Sequence, residues 1–208
     1  MPQLAGFFLT FIFQFFLIVD PVGCMPIFWS ITRGNTRAQK KSMITKAVVI
    51  AFVIHLVFAV GGHYILDYFG IGMGAIKIGG GILLFLIGLE MVYGRTTRTE
   101  INEKEEKVAI ELDDVSVTPL AIPLLAGPGS ITTVLIFSGM SVSLSYYVAL
   151  VLAIVLVLLV SLVILIQTDR ITKALGELGT KVLVRFMGLM LVFLAVQYVV
   201  NGIKESFF

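Results

Sequence analysis

The sequence predicts an all-α integral membrane protein with six transmembrane helices, arranged as two inverted three-helix repeats in which the first and fourth helices are discontinuous. Of its 208 residues, 58% are hydrophobic and only 13% are charged, about half the charged share of a soluble domain. Apolar stretches of about 20 residues recur along the chain, as membrane-spanning helices require. Two of these stretches are interrupted by proline and glycine in matching positions of the two halves, which indicates a transporter-like architecture.

The predicted membrane domain has six spans. They cover residues 5–31, 44–66, 71–93, 117–140, 147–166 and 182–203. The first span lacks the basic start and small-residue cleavage site of a signal peptide, so we expect it to be retained. A charged cytoplasmic connector at 96–116, to which we assign no chemistry, separates the first repeat (1–95) from the second (117–208) within one membrane domain.

Lysine and arginine are distributed unevenly among the predicted connections. The second connection offers only Asp67, and the fourth has no charge. The cations of the first, third and fifth connections are Arg33, Arg37, Lys40, Lys41 and Lys46; Arg95, Arg98, Lys104 and Lys107; and Arg170, Lys173 and Lys181. The positive-inside rule therefore places the odd connections in the cytoplasm and both termini in the periplasm or outside the cell. The predicted location is the plasma membrane, which is the inner membrane in a bacterium.

The two halves share a weak internal similarity. The motif DPVG at 20–23 precedes GPGS at 127–130 by 107 positions, and Lys77 precedes Arg185 by 108. Three spans per half insert the halves in opposite orientations, which is a common construction of secondary transporters. Chance identity between apolar stretches is the alternative.

Pro21 and Pro128 lie inside the first and fourth predicted spans. Each is about 15 Å from the cytoplasmic end at a rise of about 1.5 Å per residue. Proline within a helix removes a backbone hydrogen bond and costs roughly 3 kcal/mol. Because hydrocarbon offers no water to replace that bond, the broken backbone must be buried in protein or line a wet cavity. Two plain kinks, with Asp20 capping its own helix, are the alternative.

Both breaks have the form of a helix start, with Asp20 or Gly127 as the cap before a proline. Free N–H groups and a positive dipole end at such a start favour an anion such as a carboxylate. Gly127 and Gly129 let a ligand approach the backbone closely. The nearby hydroxyl groups belong to Ser130, Thr132 and Thr133. We therefore expect a zwitterion to place its carboxylate at the Gly-Pro-Gly turn and its ammonium near Asp20.

Charged residues at membrane depth are candidates for ion coupling. Such a charge costs at least ~2.5 kcal/mol on insertion scales, so it faces the bundle interior or water by default. The candidates are Asp20, Glu90, Lys77 and Arg185. Solvation at a span end is the alternative for Glu90, and snorkelling to an interface or pairing with an acid is the alternative for the two cations. We interpret His55 and His63 as hydrogen-bonded structural histidines.

The segments FFLIVDPVGCMPIF (15–28) and PLAIPLLAGPGSITTV (119–134) resemble the MarC family of bacterial and archaeal inner-membrane proteins. The six-span layout and the charged connector match this family as well. The family's recurring positions correspond here to Asp20, Pro21, Gly23, Pro26, Gly127, Pro128 and Gly129. Cys24 stands where many relatives have a polar residue, often Asn, which bears on substrate specificity.

The resemblance implies a secondary transporter of small neutral amino acids such as glycine and alanine, coupled to an ion gradient. It also extends to the amino-acid exporter superfamily, so uptake and export both stay open. A passive channel, or an exporter of other small polar solutes, is the alternative function. The expected partners are the lipid bilayer and a small zwitterionic substrate. A homo-oligomer is one alternative for the assembly.

Other functional classes fit the sequence less well. An enzyme is not expected: a serine-type site would need a histidine beside Ser130, for which His63 is the only outer-leaflet candidate, and no HExxH motif occurs. The single cysteine, Cys24, excludes an intrachain disulfide and a Cys-based metal site. No cofactor is expected apart from a coupling proton or sodium ion. The net charge of +2 gives no indication of nucleic-acid binding.

Overall fold

The computed structural model describes residues 2–32, 34–94, 124–141 and 143–207, and this part of the chain is helical throughout apart from short turns. Its helices are α1 Pro2–Val19, α2 Pro21–Ile31, α3 Arg37–Tyr68, α4 Met73–Tyr93, α5 Pro128–Gly139, α6 Leu144–Ile166 and α7 Thr168–Phe207. A short π-helical turn at 124–125 precedes α5. The predicted connector at 96–116 lies outside the described residues.

Five helical segments are long and apolar enough to cross a membrane. They are Gln3–Trp29, Arg37–Tyr68, Met73–Tyr93, Leu144–Ile166 and Leu178–Phe207. The first of them contains the junction of α1 and α2. The fourth predicted span is represented by α5, which is apolar but only 12 residues long, and the part of that span before residue 124 lies outside the described ranges. Five candidate spans make a multi-pass bundle; the arrangement of six helices as inverted repeats stays a prediction.

Two helices extend beyond the predicted spans because of local capping and backbone conformation. α3 begins at Arg37, since Thr36 and Gln39 form a capping box in which the Gln39 amide donates to the Thr36 hydroxyl oxygen at 3.3 Å. Such a box satisfies amides that a helix start leaves free. α7 begins at Thr168 and is interrupted at Gly176 (φ 68°, ψ 174°). The predicted span at 182–203 lies in the longer part after that glycine.

Small residues join α4 and α7 in close antiparallel contact. A Cβ atom added to Gly202 would lie 2.7 Å from the Gly74 carbonyl oxygen, and one added to Gly188 would lie 3.0 Å from the Gly88 carbonyl oxygen. Between these pairs, a Cβ on Gly81 would lie 2.8 Å from a backbone oxygen of α7. Small residues allow membrane helices to approach in this way. The seam fixes the register of α4 against α7.

The remaining core lies between α1, α3, α5 and α6. Phe11 and Phe15 of α1 are fully buried. The Phe11 ring lies 5.0 Å from that of Phe137 on α5, and the Phe15 ring lies 5.0 Å from the His55 imidazole on α3. These contacts pack α1 against the last turn of α5 and the middle of α3.

Candidate functional site

The first helix break is centred on Asp20. Its backbone is left-handed (φ 42°, ψ 65°), a conformation that costs a non-glycine residue on the order of 1–3 kcal/mol. The Asp20 amide still donates to the Phe16 carbonyl at 2.9 Å. Pro21, the next residue, has no N–H to donate to the Leu17 carbonyl. The α1 helix therefore ends with a carbonyl deprived of its helical donor.

The Asp20 side chain caps α2. Its Oδ1 accepts the Gly23 amide at 3.0 Å, and the Asp20 side chain is fully buried. A Cβ on Gly23 would lie 2.0 Å from Asp20 Oδ2, so this cap requires glycine at position 23. The Cys24 thiol, also buried, contacts the Val19 carbonyl at 3.7 Å. A carboxylate of the protein itself thus already lies at the positive end of α2.

The second break leaves the start of α5 open. Gly127 precedes Pro128 and supplies no side-chain cap. The first amide to find a helical acceptor is that of Ile131, which donates to the Gly127 carbonyl at 3.1 Å. The amides of Gly129 and Ser130 have no acceptor among the residues that the structure describes, although both residues are buried. Two N–H donors are therefore available at the positive end of α5.

The two breaks lie against each other. A Cβ on Gly129 would lie 3.4 Å from Ile18 Cγ2 and 2.5 Å from Leu84 Cδ2. Ile18 belongs to the last turn of α1, so the carbonyl end of α1 adjoins the amide end of α5. Leu84 reaches the same point from α4. The pairing of the breaks in sequence thus corresponds to a contact in space.

His55 is the histidine beside Ser130, a place for which the sequence offered His63 as the outer-leaflet candidate. His55 Nε2 lies 3.0 Å from Ser130 Oγ, and Nδ1 lies 2.7 Å from the Ala51 carbonyl. Because a carbonyl only accepts, Nδ1 must carry a proton. In the neutral ring, Nε2 therefore accepts a hydrogen bond from the Ser130 hydroxyl. In an imidazolium, Nε2 would donate to the Ser130 oxygen, and the hydroxyl would donate to the Gly127 carbonyl, 2.9 Å away.

His63 differs from its predicted role. Its Nδ1 is buried without a hydrogen-bond partner in the described part of the chain. The ring lies 3.8 Å from that of Tyr64, near the end of α3. His55, in contrast, is hydrogen-bonded at both ring nitrogens as predicted. His55 had no sequence signal beyond its position in the middle of an apolar helix.

The threonines of α5 bond back onto their own helix. Thr132 donates to the Pro128 carbonyl at 2.8 Å, and Thr133 donates to the Gly129 carbonyl at 3.0 Å. Thr133 is buried beside Tyr198 of α7. The Tyr198 hydroxyl in turn donates to Gln14 of α1 at 2.7 Å. Sequence reasoning missed Tyr198, which connects three helices next to the open start of α5.

Among the predicted ion-coupling residues, only Asp20 lies at a break. Lys77, near the start of α4, forms an ion pair with Glu205 of α7. Glu90 is half-buried in the last turn of α4, and Arg185 is exposed with its guanidinium beside Gly94, which ends that helix. The three prolines predicted at the site differ in exposure. Pro21 is buried, whereas Pro128 is exposed. Pro26, which lies inside α2, is exposed as well.

Five apolar segments long enough to cross a membrane, the first of them interrupted at Asp20, define a multi-pass membrane protein. The sequence model of the family described as "MarC family integral membrane protein" matches residues 5–207. The chain therefore belongs to the MarC family, as the two motifs indicated, and is an integral multi-pass membrane protein.

Its relatives extend across archaea and bacteria. A UPF0056 membrane protein of Methanocaldococcus jannaschii is 38% identical over 200 residues, covering 96% of this chain and 97% of the relative. The UPF0056 membrane proteins YvbG of Bacillus subtilis and YhcE of Escherichia coli are 33% and 31% identical, covering 99% and 96% of this chain and 98% and 93% of their own. No solved structure matches the chain.

Proposed function

We propose that the chain is a secondary transporter of small neutral amino acids that binds its substrate between the two helix breaks. The observation that carries this proposal is the pair of amides at Gly129 and Ser130, two buried residues, for which the described part of the chain provides no acceptor. An unsatisfied buried donor costs about 1–3 kcal/mol. A ligand carboxylate would satisfy both donors and gain from the helix dipole.

The ammonium group of the substrate is assigned to the end of α1. The Leu17 carbonyl has lost its helical donor at Pro21, and the carbonyl end of a helix is its negative pole. The Asp20 carboxylate lies three residues further along the chain, with Oδ1 engaged by Gly23. The carboxylate and ammonium groups of a zwitterion thus face opposite poles of two adjoining half-helices.

Small substrates are favoured because the junction is crowded. Ile18 and Leu84 both lie within contact distance of the position that a Gly129 side chain would occupy. Little space remains for a substrate side chain next to the α5 start. Glycine and alanine fit this restriction, and they are the substrate class expected from the resemblance to the MarC family.

We assign proton coupling to His55 in place of Glu90, Lys77 and Arg185. Its protonation reverses the direction of the hydrogen bond to Ser130 and thereby changes which groups at the α5 start are free to donate. A coupling site must make different contacts in its two states. The Ser130–His55 pair is not assigned an enzymatic role, because His55 Nδ1 bonds to a backbone carbonyl where a hydrolase would use a carboxylate.

The wider arrangement proposed is the one that the sequence predicts. Six helices form two inverted repeats that rock around the breaks to give alternating access, and both termini face away from the cytoplasm. Uptake and export use the same site in this scheme.

The test is transport of labelled glycine and alanine by the purified protein in proteoliposomes, with and without a proton or sodium gradient. Saturable uptake with counterflow of preloaded substrate is expected, and a proton gradient should drive accumulation. Non-saturable flux without counterflow would replace the transporter with a passive channel, and the absence of any flux of either amino acid would overturn the substrate assignment.

A further inference from the structure

A cavity of about 270 Å³ lies at the end of the bundle where α2 ends and α3 begins. It is separate from the helix breaks, because neither Asp20 nor Gly127 lines it. Its walls come from the end of α2, the first turns of α3 and the corner between α6 and α7. The positive-inside rule assigns this end of the molecule to the cytoplasm.

Four cations line this cavity, namely Arg37, Lys40, Lys41 and Arg170. One acidic residue, Asp169, also lines the cavity. Within the described ranges none of the four forms an ion pair. Membrane topology requires cations on this side of the bilayer, but it does not require cations of separate helices to converge on one cavity. Their convergence indicates an anionic ligand.

The backbone adds to the positive potential. Arg37, Lys40 and Lys41 occupy one face of the first turns of α3, where the helix dipole is positive. α7 also starts here, at Thr168. The negative end of α6 lies nearby, yet its Val163 and Ile164 carbonyls already accept the Gln167 amide at 3.1 Å each.

Part of the cavity wall is apolar. Trp29 and Ile166 supply its exposed apolar surface, whereas Phe28, Ile44 and Leu165 also line the cavity but are almost completely buried. Trp29, which is 41% exposed, lies at the rim in the way that tryptophan marks a membrane–water interface. A free inorganic anion would make no use of this wall. An amphiphile would place its charge on the cations and its carbon chain along the apolar residues.

We propose that this cavity binds the phosphate of an anionic phospholipid such as phosphatidylglycerol, taken from the cytoplasmic leaflet. Basic pockets between transmembrane helices on this side are suited to lipid phosphates. The shared chemistry is a phosphate anion, and the apolar wall selects the lipid over free phosphate. This binding is independent of the transported substrate.

Trp29 provides the readout, because it is the only tryptophan of the chain and lines the cavity. The protein is reconstituted in vesicles that contain brominated phosphatidylglycerol or brominated phosphatidylcholine at equal mole fraction, and quenching of Trp29 fluorescence is measured. The anionic lipid should associate roughly tenfold more strongly at this site. The preference should fall to about one in a Lys40→Gln, Lys41→Gln, Arg170→Gln variant.

A matched variant removes three described cations that the sequence assigns to the same side but that do not line the cavity: Lys46→Gln, Lys173→Gln and Lys181→Gln. It should retain the preference. Equal quenching by both lipids in the unmodified protein, or equal loss in both variants, would overturn the proposal. Inorganic phosphate is added as a competitor, and if it abolishes the preference the site belongs to a free anion. Gel filtration and thermal unfolding verify that the variants are folded.

Discussion

His55 on α3 and Ser130 at the start of α5 are 75 positions apart in the chain and share a buried hydrogen bond of 3.0 Å. The bond joins an ionisable ring to the turn that carries the Gly129 and Ser130 amides, which find no acceptor in the described ranges. Because Nδ1 is committed to the Ala51 carbonyl, gain or loss of a proton can act only at Nε2, on the side facing Ser130. Protonation of His55 is thereby connected directly to the proposed carboxylate site.

Replacement of His55 by glutamine should separate substrate exchange from the proton gradient. An amide side chain can still bond to Ser130 but cannot take up a proton, so counterflow of labelled glycine should persist while gradient-driven accumulation is lost. Both are measured in proteoliposomes. His63→Gln, on the same helix, is the control and should accumulate substrate normally. Accumulation that survives in His55→Gln would remove the coupling assignment and leave the substrate site untouched.

The contact between Gly129 and Leu84 should behave as a coupled pair. An alanine at position 129 would place its methyl group 2.5 Å from Leu84 Cδ2, and overpacking of this kind costs about 1–3 kcal/mol. Gly129→Ala should therefore lower the unfolding temperature and the transport rate. Leu84→Ala in the same chain should restore part of both. Additive effects of the two substitutions would show that the two residues do not interact at this point.

Asp20 combines a capping role with a proposed ligand role, and two substitutions distinguish them. Asn retains the oxygen that accepts the Gly23 amide, so Asp20→Asn should unfold at nearly the original temperature but raise the KM for glycine about tenfold or more. Asp20→Ala removes the cap as well and should cost about 1 kcal/mol of stability. Thermal unfolding and saturation kinetics measure the two effects. An unchanged KM in Asp20→Asn would confine Asp20 to capping.

The Lys77–Glu205 ion pair joins α4 to α7, and the Lys77 side chain is only 11% exposed. Glu205→Gln leaves this cation unpaired in a mostly buried position, so its cost in unfolding free energy should exceed the ~0–1 kcal/mol of a surface pair. The double variant Lys77→Gln, Glu205→Gln should be more stable than Glu205→Gln alone. Thermal unfolding in detergent provides the comparison. Equal stability of the single and double variants would mean that Lys77 finds solvation without Glu205.

Local chemistry explains which features could be predicted from the sequence. Pro21 and Pro128 interrupt helices because proline lacks an N–H, and that consequence needs no knowledge of the fold. The cap at Asp20 is similarly local, since the carboxylate accepts the amide of Gly23, only three residues further along the chain. These features lie within a few residues of their cause.

Features that depend on how helices rotate and pack could not be predicted in the same way. His55 meets Ser130 only because α3 turns that face towards α5, and an apolar helix gives little indication of which face is buried. Tyr198 was missed for the same reason, since its partners Gln14 and Thr133 belong to other helices. The break at Gly176 depends on the positive φ of that residue. Nothing in the sequence distinguishes Gly176 from the other glycines.

The glycine seam between α4 and α7 has a mechanical consequence. At backbone separations that leave no room for a methyl group, neither helix can slide or roll without a steric clash. In the proposed repeats these are the third helix of each half, so the seam joins the two halves. In the proposed transport cycle the repeats would then pivot about this seam, and the half-helices on either side of Asp20 and Gly127 would take up the displacement.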